Sequence, residues 1–107
     1  MSQKFLKKTI LEAIEEGISS LGESPKQAIF FTLKTTFNID KNEIPSNLLE
    51  FEQALKKIFG PGASYLEKLI ISHIYKKLGL SPQETHQLNL TWHVNNLKDQ
   101  FNLERRK

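Results

Sequence analysis

The stretch LGESP at residues 21–25 and its near-copy LGLSP at residues 78–82 decide the fold of this chain. Glycine adopts the left-handed conformation that closes an α-helix more readily than other residues do. The serine that follows is a favoured N-cap, and proline is favoured at the first helical position. Gln27 and Glu84 stand where the second arm of a capping box belongs. Each copy therefore predicts that one helix ends and another begins after a very short connection.

Apolar residues recur at helical spacing outward from these two stretches, and strand-like alternation is missing. The segment after Ser24 contains Ala28 to Phe31, which are apolar nearly all round, so we expect it to be the most buried helix. The fold class predicted is all-α, a compact bundle of about five helices. The predicted helices span residues 4–21, 24–37, a Ser46 or Asn47 cap to Phe59, 62–78 and a last one starting at the Ser81 cap, with one short helical turn near 40–44.

The bulk properties favour a single folded domain without disulfides or thiolate chemistry. The chain has 107 residues, no cysteine and a formal net charge of +3. No apolar run approaches the roughly 20 residues that span a bilayer, and no stretch of signal-peptide type follows the N-terminus. We therefore expect a soluble cytoplasmic protein with no membrane contact.

The histidines do not form a metal site by their spacing. His86 and His93 are seven residues apart and would share a face of one continuous helix, whereas helical zinc pairs lie three or four apart. His73 is distant from both, and no cysteine assists. We predict no metal ligand and no cofactor, with solvent-exposed or interface histidines instead.

Catalytic signatures are also missing from the sequence. It has neither a Gly-x-Ser-x-Gly nucleophile motif nor a phosphate-binding Gly-rich loop. Glu12, Glu15 and Glu16 are crowded, but Lys8 lies four residues before Glu12 and predicts a solvated, partly paired helix face. We predict no catalytic residue and no enzymatic activity.

Two basic clusters are candidates for contacts with an anion or a nucleic acid. One lies in the first turns of the first helix, where the helix dipole disfavours positive charge; the other is the C-terminal tail. The alternative is that both only increase solubility. Their members are Lys4, Lys7 and Lys8, and Arg105, Arg106 and Lys107.

The only tryptophan, Trp92, lies off the apolar stripe of the last helix. With Leu88 and Leu103 it predicts a second apolar patch on that helix. A helix with two apolar sides is either buried on both or in contact with another subunit. We predict that these three residues form a partner interface, with packing inside the chain as the alternative.

Four ordered motifs resemble the archaeal Nitrosopumilus output domain family. They are LGESPKQAIFF at 21–31, EIP at 43–45, FxxALxxIFGxGA at 51–63 and KKLGL at 76–80. The resemblance covers residues 5–80 and involves caps, turns and core positions. It implies an archaeal, cytoplasmic, all-helical module of signalling or regulation, and it identifies no ligand and no site residue.

These observations lead to one predicted function and two rivals. We expect a non-enzymatic interaction module that forms a homodimer or binds another signalling protein. Residues 1–80 would be its output-domain-like core, and residues 81–107 a helical extension packed on that core or on a partner subunit. The first rival is a small basic nucleic-acid-binding regulator. The second, an enzyme or a domain with a Phe-lined ligand pocket, is disfavoured because Phe at helical spacing is more often core.

Overall fold

A computed structural model describes residues 3–81 and 89–105, except for the side chains of residues 101–105. Within these residues the chain forms five α-helices and no strand, which confirms the predicted all-α bundle. Two short 3₁₀ helices, Lys41–Ser46 and Gly60–Gly62, precede the third and fourth α-helices. The α-helices are α1 (Gln3–Ser19), α2 (Glu23–Thr36), α3 (Leu48–Phe59), α4 (Ala63–Lys77) and α5 (Leu90–Arg105).

The pair α1 and α4 forms the centre of the bundle. Gly17 of α1 is buried where the two helices cross. A Cβ at this position would lie 2.8 Å from Cγ1 of Ile70, and the Ile70 side chain is fully buried. The close approach of the two helices therefore depends on the missing side chain of Gly17.

We expect Gly17→Ala to destabilise the protein by about 1–2 kcal/mol, because overpacking of the crossing outweighs the higher helix propensity of alanine. Gly62→Ala is the matched control, since its φ is −68° and its Cβ would lie 3.8 Å from the Phe59 Cβ. We expect that control to remain within about 0.5 kcal/mol of wild type. Urea unfolding followed by circular dichroism measures both, and a Gly17→Ala protein as stable as wild type would contradict the crossing geometry.

Gly79 ends a helix as predicted, whereas Gly22 lies three residues after the end of α1 and is the N-cap of α2. Gly22 and Gly79 have φ values of 108° and 70°, the range in which glycine carries little strain. After α4, the Gly79 N–H donates to the Lys76 carbonyl at 3.1 Å, and the Leu80 N–H donates to the Tyr75 carbonyl at 2.9 Å. This is the hydrogen-bond pattern of a Schellman motif, so the second copy of the repeated phrase does close a helix.

The predicted capping box at Ser24 is wrong. The α2 helix begins at Glu23, two residues before the predicted first residue Pro25; its N-cap is Gly22, and no side chain caps it. Gln27 instead donates from Nε2 to Oε1 of Glu23 at 3.3 Å. The Gly22 carbonyl already accepts the N–H of Lys26, which places Ser24 inside the first turn, where its hydroxyl cannot cap.

The expectation that α2 is the most buried helix is also wrong. Only Ile29 and Leu33 of this helix are buried, and the Phe31 side chain is 69% exposed. The apolar run 28–31 circles the helix, but α2 lies at the edge of the bundle and contacts α1 and the 3₁₀ helix Lys41–Ser46 on one side. Because α2 is an edge helix, one of its faces remains exposed to solvent even where the residues on that face are apolar.

The last helix joins the same core as the first four. Leu90, Val94 and Leu97 of α5 are buried together with residues of the other helices, and α5 packs on α3 and α4. A helix running continuously from the Ser81 cap is wrong, because Asn89 is not helical and α5 begins at Leu90. The division into 1–80 and 81–107 stays a prediction.

Candidate functional site

The first turn of α5 is held by a carboxylate from α3. The Leu90 N–H donates to Oε1 of Glu52 at 2.6 Å, and the Thr91 hydroxyl donates to Oε2 of the same group. Asn89 supplies a local cap, since its Oδ1 accepts the Trp92 N–H at 3.0 Å. A negative charge at a helix N-terminus is favourable because free N–H groups and the helix dipole point towards it. Glu52 therefore fixes where α5 begins and where it docks.

A second carboxyl group lies against the first. Glu67 of α4 places its Oε1 3.5 Å from the same Leu90 nitrogen, and the side chains of Glu52 and Glu67 are both almost completely buried. Burial, together with the hydrogen bond to Glu52 and the Glu52 charge, raises the pKa of Glu67 to about 8, against the weaker opposing effects of the Leu90 N–H and Lys56. Glu67 is thus protonated at neutral pH and donates to the Glu52 carboxylate. We call Glu52 and Glu67 the acid pair.

A second buried polar contact joins α4 to α5 through aromatic side chains. The Tyr75 oxygen lies 2.8 Å from Nδ1 of His93, and the two rings meet edge to face. Burial raises the pKa of the Tyr75 hydroxyl. Trp92 also meets His93 edge to face, with ring centroids 4.9 Å apart. The first turn of α5 is thus fixed by polar contacts with specific geometry as well as by apolar packing.

The acid pair and the Tyr75–His93 contact contain the residue types of acid–base catalysis, but their polar atoms are committed within the fold. Glu52 accepts from two groups of α5 and from Glu67. Catalysis needs a group within hydrogen-bond reach of a substrate. Neither of two surface grooves lined by described residues, of about 560 and 540 Å³, includes them. The arrangement is suited to docking a helix.

An exposed ion-pair cluster joins α1 to α4. Lys77 lies 2.6 Å from Glu16 and 3.9 Å from Glu12, and His73 lies 3.3 Å from Glu16. The hydrogen bond between Lys77 and Glu16 lowers the pKa of Glu16 and raises the pKa of Lys77. Glu12 thus pairs across helices, whereas the sequence predicted a pair with Lys8. Exposed pairs of this kind contribute little stability.

The predicted partner interface is described only at Trp92. This side chain is 37% exposed and lies off the buried stripe of α5, as the sequence predicted. Leu88 lies outside the described residues, and the side chain of Leu103 is not described although its backbone belongs to α5. An interface of these three residues stays a prediction.

The predicted basic clusters are described only in part. Lys4, Lys7 and Lys8 are exposed on α1, and they make no ion pair with the side chains that the structure describes. The backbone of Arg105 belongs to α5, while Arg106 and Lys107 lie outside the described residues. The two clusters are therefore not brought together by the described part of the chain.

Sequence reasoning missed the acid pair, although a signal was present. Glu52 occupies a position between Leu48 and Leu55 in the apolar stripe of α3. Glu67 occupies the corresponding kind of position in α4, four residues after the buried Ala63. Charged residues are almost never fully buried without a partner. Two carboxylates in core positions indicate a shared polar contact.

The exposed aromatic surface on α2 was missed as well. Phe30 and Phe31 line a shallow groove of about 560 Å³ with Lys34 and residues 40–43. The sequence did not reveal this exposed surface, because a run of four apolar residues is compatible with a buried helix and with an edge helix equally well. The groove does not coincide with Trp92.

Comparison of the chain with protein-family models, with curated proteins and with solved structures finds no match in any of the three. The resemblance of residues 5–80 to the Nitrosopumilus output domain family stays a prediction.

Among the described residues, no group of three or more His, Cys, Asp or Glu side chains could hold a metal ion. None of the described helices combines the length and apolarity needed to cross a bilayer. His86 lies outside the described residues, and His93 is buried against Tyr75.

Proposed function

We propose that this chain is a non-enzymatic helical interaction module that self-associates as a homodimer. The observation that carries the proposal is the exposure of Trp92. Its ring is 37% exposed, although Leu90, His93 and Val94 around it are buried. Tryptophan is enriched at the centres of protein interfaces, where a partner removes its large apolar surface from water.

The commitment of the buried polar groups supports a non-enzymatic role. Tyr75 and His93 contact each other, and the acid pair contacts the first turn of α5. These groups hold helices together in the same region that presents Trp92. A rigidly docked α5 would present this side chain to a partner at little cost in conformational entropy.

The setting that we propose is archaeal, cytoplasmic regulation or signalling. It rests on the resemblance of residues 5–80 to the output domain family and on no contact in the structure. The partner would be a second copy of this chain or another signalling protein.

We expect Trp92→Ala to convert the dimer into a monomer, because truncation of a central aromatic side chain removes about 2 kcal/mol or more of binding energy. Light scattering coupled to size-exclusion chromatography at high and low concentration measures this change. Phe31→Ala is the matched control and should leave the dimer intact. A wild-type protein that is monomeric at high concentration contradicts the proposal, and a dimer lost only in Phe31→Ala would place the interface on α2.

The alternative function is a small basic nucleic-acid-binding regulator. The observation that favours it is the exposure of three lysines on the first turns of α1, at spacings that put them on neighbouring positions. Binding through phosphates falls steeply as salt rises. A low-salt gel shift that disappears in the Lys4→Ala, Lys7→Ala, Lys8→Ala triple variant would favour this alternative, and no shift with DNA or RNA would exclude it.

A further inference from the structure

The acid pair is the only described place where two buried carboxyl groups meet at one backbone N–H. Both side chains are at least 96% buried, with exposures of 2% for Glu52 and 4% for Glu67. Their Oε1 atoms lie 2.6 and 3.5 Å from the Leu90 nitrogen. Two buried carboxylates that face the same backbone N–H cannot both be charged at low cost, because the negative charge of each raises the energy of the other. The pair therefore holds one proton.

Among the described residues, no lysine or arginine is buried beside the acid pair. From α3, Lys56 acts on Glu67 at a distance, but its own side chain is exposed. From α5, the Leu90 N–H and the Thr91 hydroxyl are already donating to Glu52. Tyr75 and His93 contact each other. Among the described residues, the groups that donate directly to Glu52 at the start of α5 are thus a backbone N–H and a hydroxyl, which are dipoles and carry no net charge.

We propose that the acid pair is a proton-dependent clamp, in which one shared proton keeps the first turn of α5 on α3 and α4 and its loss loosens α5 from the core. The clamp acts at the start of α5, and the apolar contacts of Leu90, Val94 and Leu97 depend on that docking. Loosening would expose this apolar stripe beside Trp92, which is already partly exposed. The proposal concerns the folded chain alone and does not depend on the proposed self-association.

The direction of the pH effect follows from proton linkage. Glu67 has a pKa of about 8 when α5 is docked, against an ordinary value of 4.5. The docked state therefore binds the proton more tightly than the loosened state does. Docking is favoured most below pH 4.5, and the advantage is lost progressively as the pH rises towards 8. One proton changes the opening equilibrium by at most about tenfold per pH unit.

Hydrogen exchange followed by mass spectrometry tests the proposal at pH 5, 6, 7 and 8. Protection is calculated after correction for the intrinsic exchange rate at each pH, and α1 serves as the internal reference within the same molecule. In the wild type we expect the protection of α5 relative to α1 to fall by up to about tenfold per pH unit. Relative protection that does not fall would overturn the proposal.

The variant Glu67→Gln isolates the contribution of the acid pair. A glutamine amide donates to the Glu52 carboxylate at every pH, as the protonated Glu67 does, so α5 should stay protected at pH 8. Glu50→Gln on the exposed side of α3 is the matched control and should follow the wild-type profile. Equal pH dependence in wild type and Glu67→Gln would assign the effect to another group and overturn the proposal.

If the Glu67→Gln variant does not fold, a direct titration of the carboxyl groups of the wild type still tests the proposal. Carbon NMR of the labelled side-chain carboxyl groups follows each glutamate of the wild type separately. A Glu67 titration near pH 8 supports the clamp. A titration near pH 4.5 overturns it.

Discussion

Replacement of Phe51 by alanine is expected to destabilise the protein by about 3–5 kcal/mol. Phe51 of α3 is fully buried in the single core that the described helices share. Its truncation removes a large apolar ring from the centre of that core and leaves a cavity which the neighbouring helices can fill only in part. The loss approaches the whole stability of a small domain. Urea unfolding at neutral pH measures the change.

Phe31→Ala is the matched control for this expectation, because the same side chain is removed from a position that is 69% exposed. We expect a change of less than about 0.5 kcal/mol. The comparison tests the arrangement of the helices directly. Equal losses in the two variants would mean that α2 packs with its phenylalanine face inward, as the sequence alone suggested.

Replacement of Glu52 by alanine is expected to cost about 2–4 kcal/mol at pH 5, because the Leu90 N–H and the Thr91 hydroxyl lose their buried acceptor. The stability difference between the wild type and Glu52→Ala should become smaller as the pH rises towards 8. The wild type loses stability over this range as the raised pKa of Glu67 is reached. In the variant that pKa falls, since the Glu52 contributions are gone and only burial still raises it. Urea unfolding at both pH values measures the difference.

Glu50→Ala provides the control for Glu52→Ala. Glu50 lies on the exposed side of the same helix, so its removal should change stability by no more than about 0.5 kcal/mol. Two results would contradict the described role of Glu52. One is a loss equal to that of Glu50→Ala, and the other is a loss that grows with pH.

The helices themselves were predictable because their signals are local. Apolar spacing and glycine positions placed the ends of four helices within a few residues, and the turn near 40–44 appears as the 3₁₀ helix Lys41–Ser46. Capping was less predictable. Ser24 has the right identity for a cap, but the N-cap of α2 is Gly22, two residues earlier, which places Ser24 inside the helix. Serine is a favoured N-cap residue, but its identity alone does not decide which residue occupies the cap.

Of the residues that make up the candidate functional site, only Trp92 was predicted from the sequence. Its position off the α5 stripe follows from sequence spacing, and its partial exposure agrees with that. The acid pair joins residues from α3, α4 and α5 that are up to 39 positions apart in the chain. A pairing of this kind depends on how three helices pack, which no local pattern contains.

The sequence by itself determined that this chain is an all-α bundle, because helix period, glycine and proline act over a few residues. Gly79 of LGLSP closes α4, and Gly22 of LGESP lies between α1 and α2 as the N-cap of α2; both have the positive φ that glycine tolerates. Only the tertiary structure decided which apolar faces are covered and which charges are buried. Phe31 is exposed because α2 lies at the edge of the bundle, and Glu52 and Glu67 lie together in the core because packing brings both to one N–H of α5. Burial and pKa depend on neighbours distant in sequence.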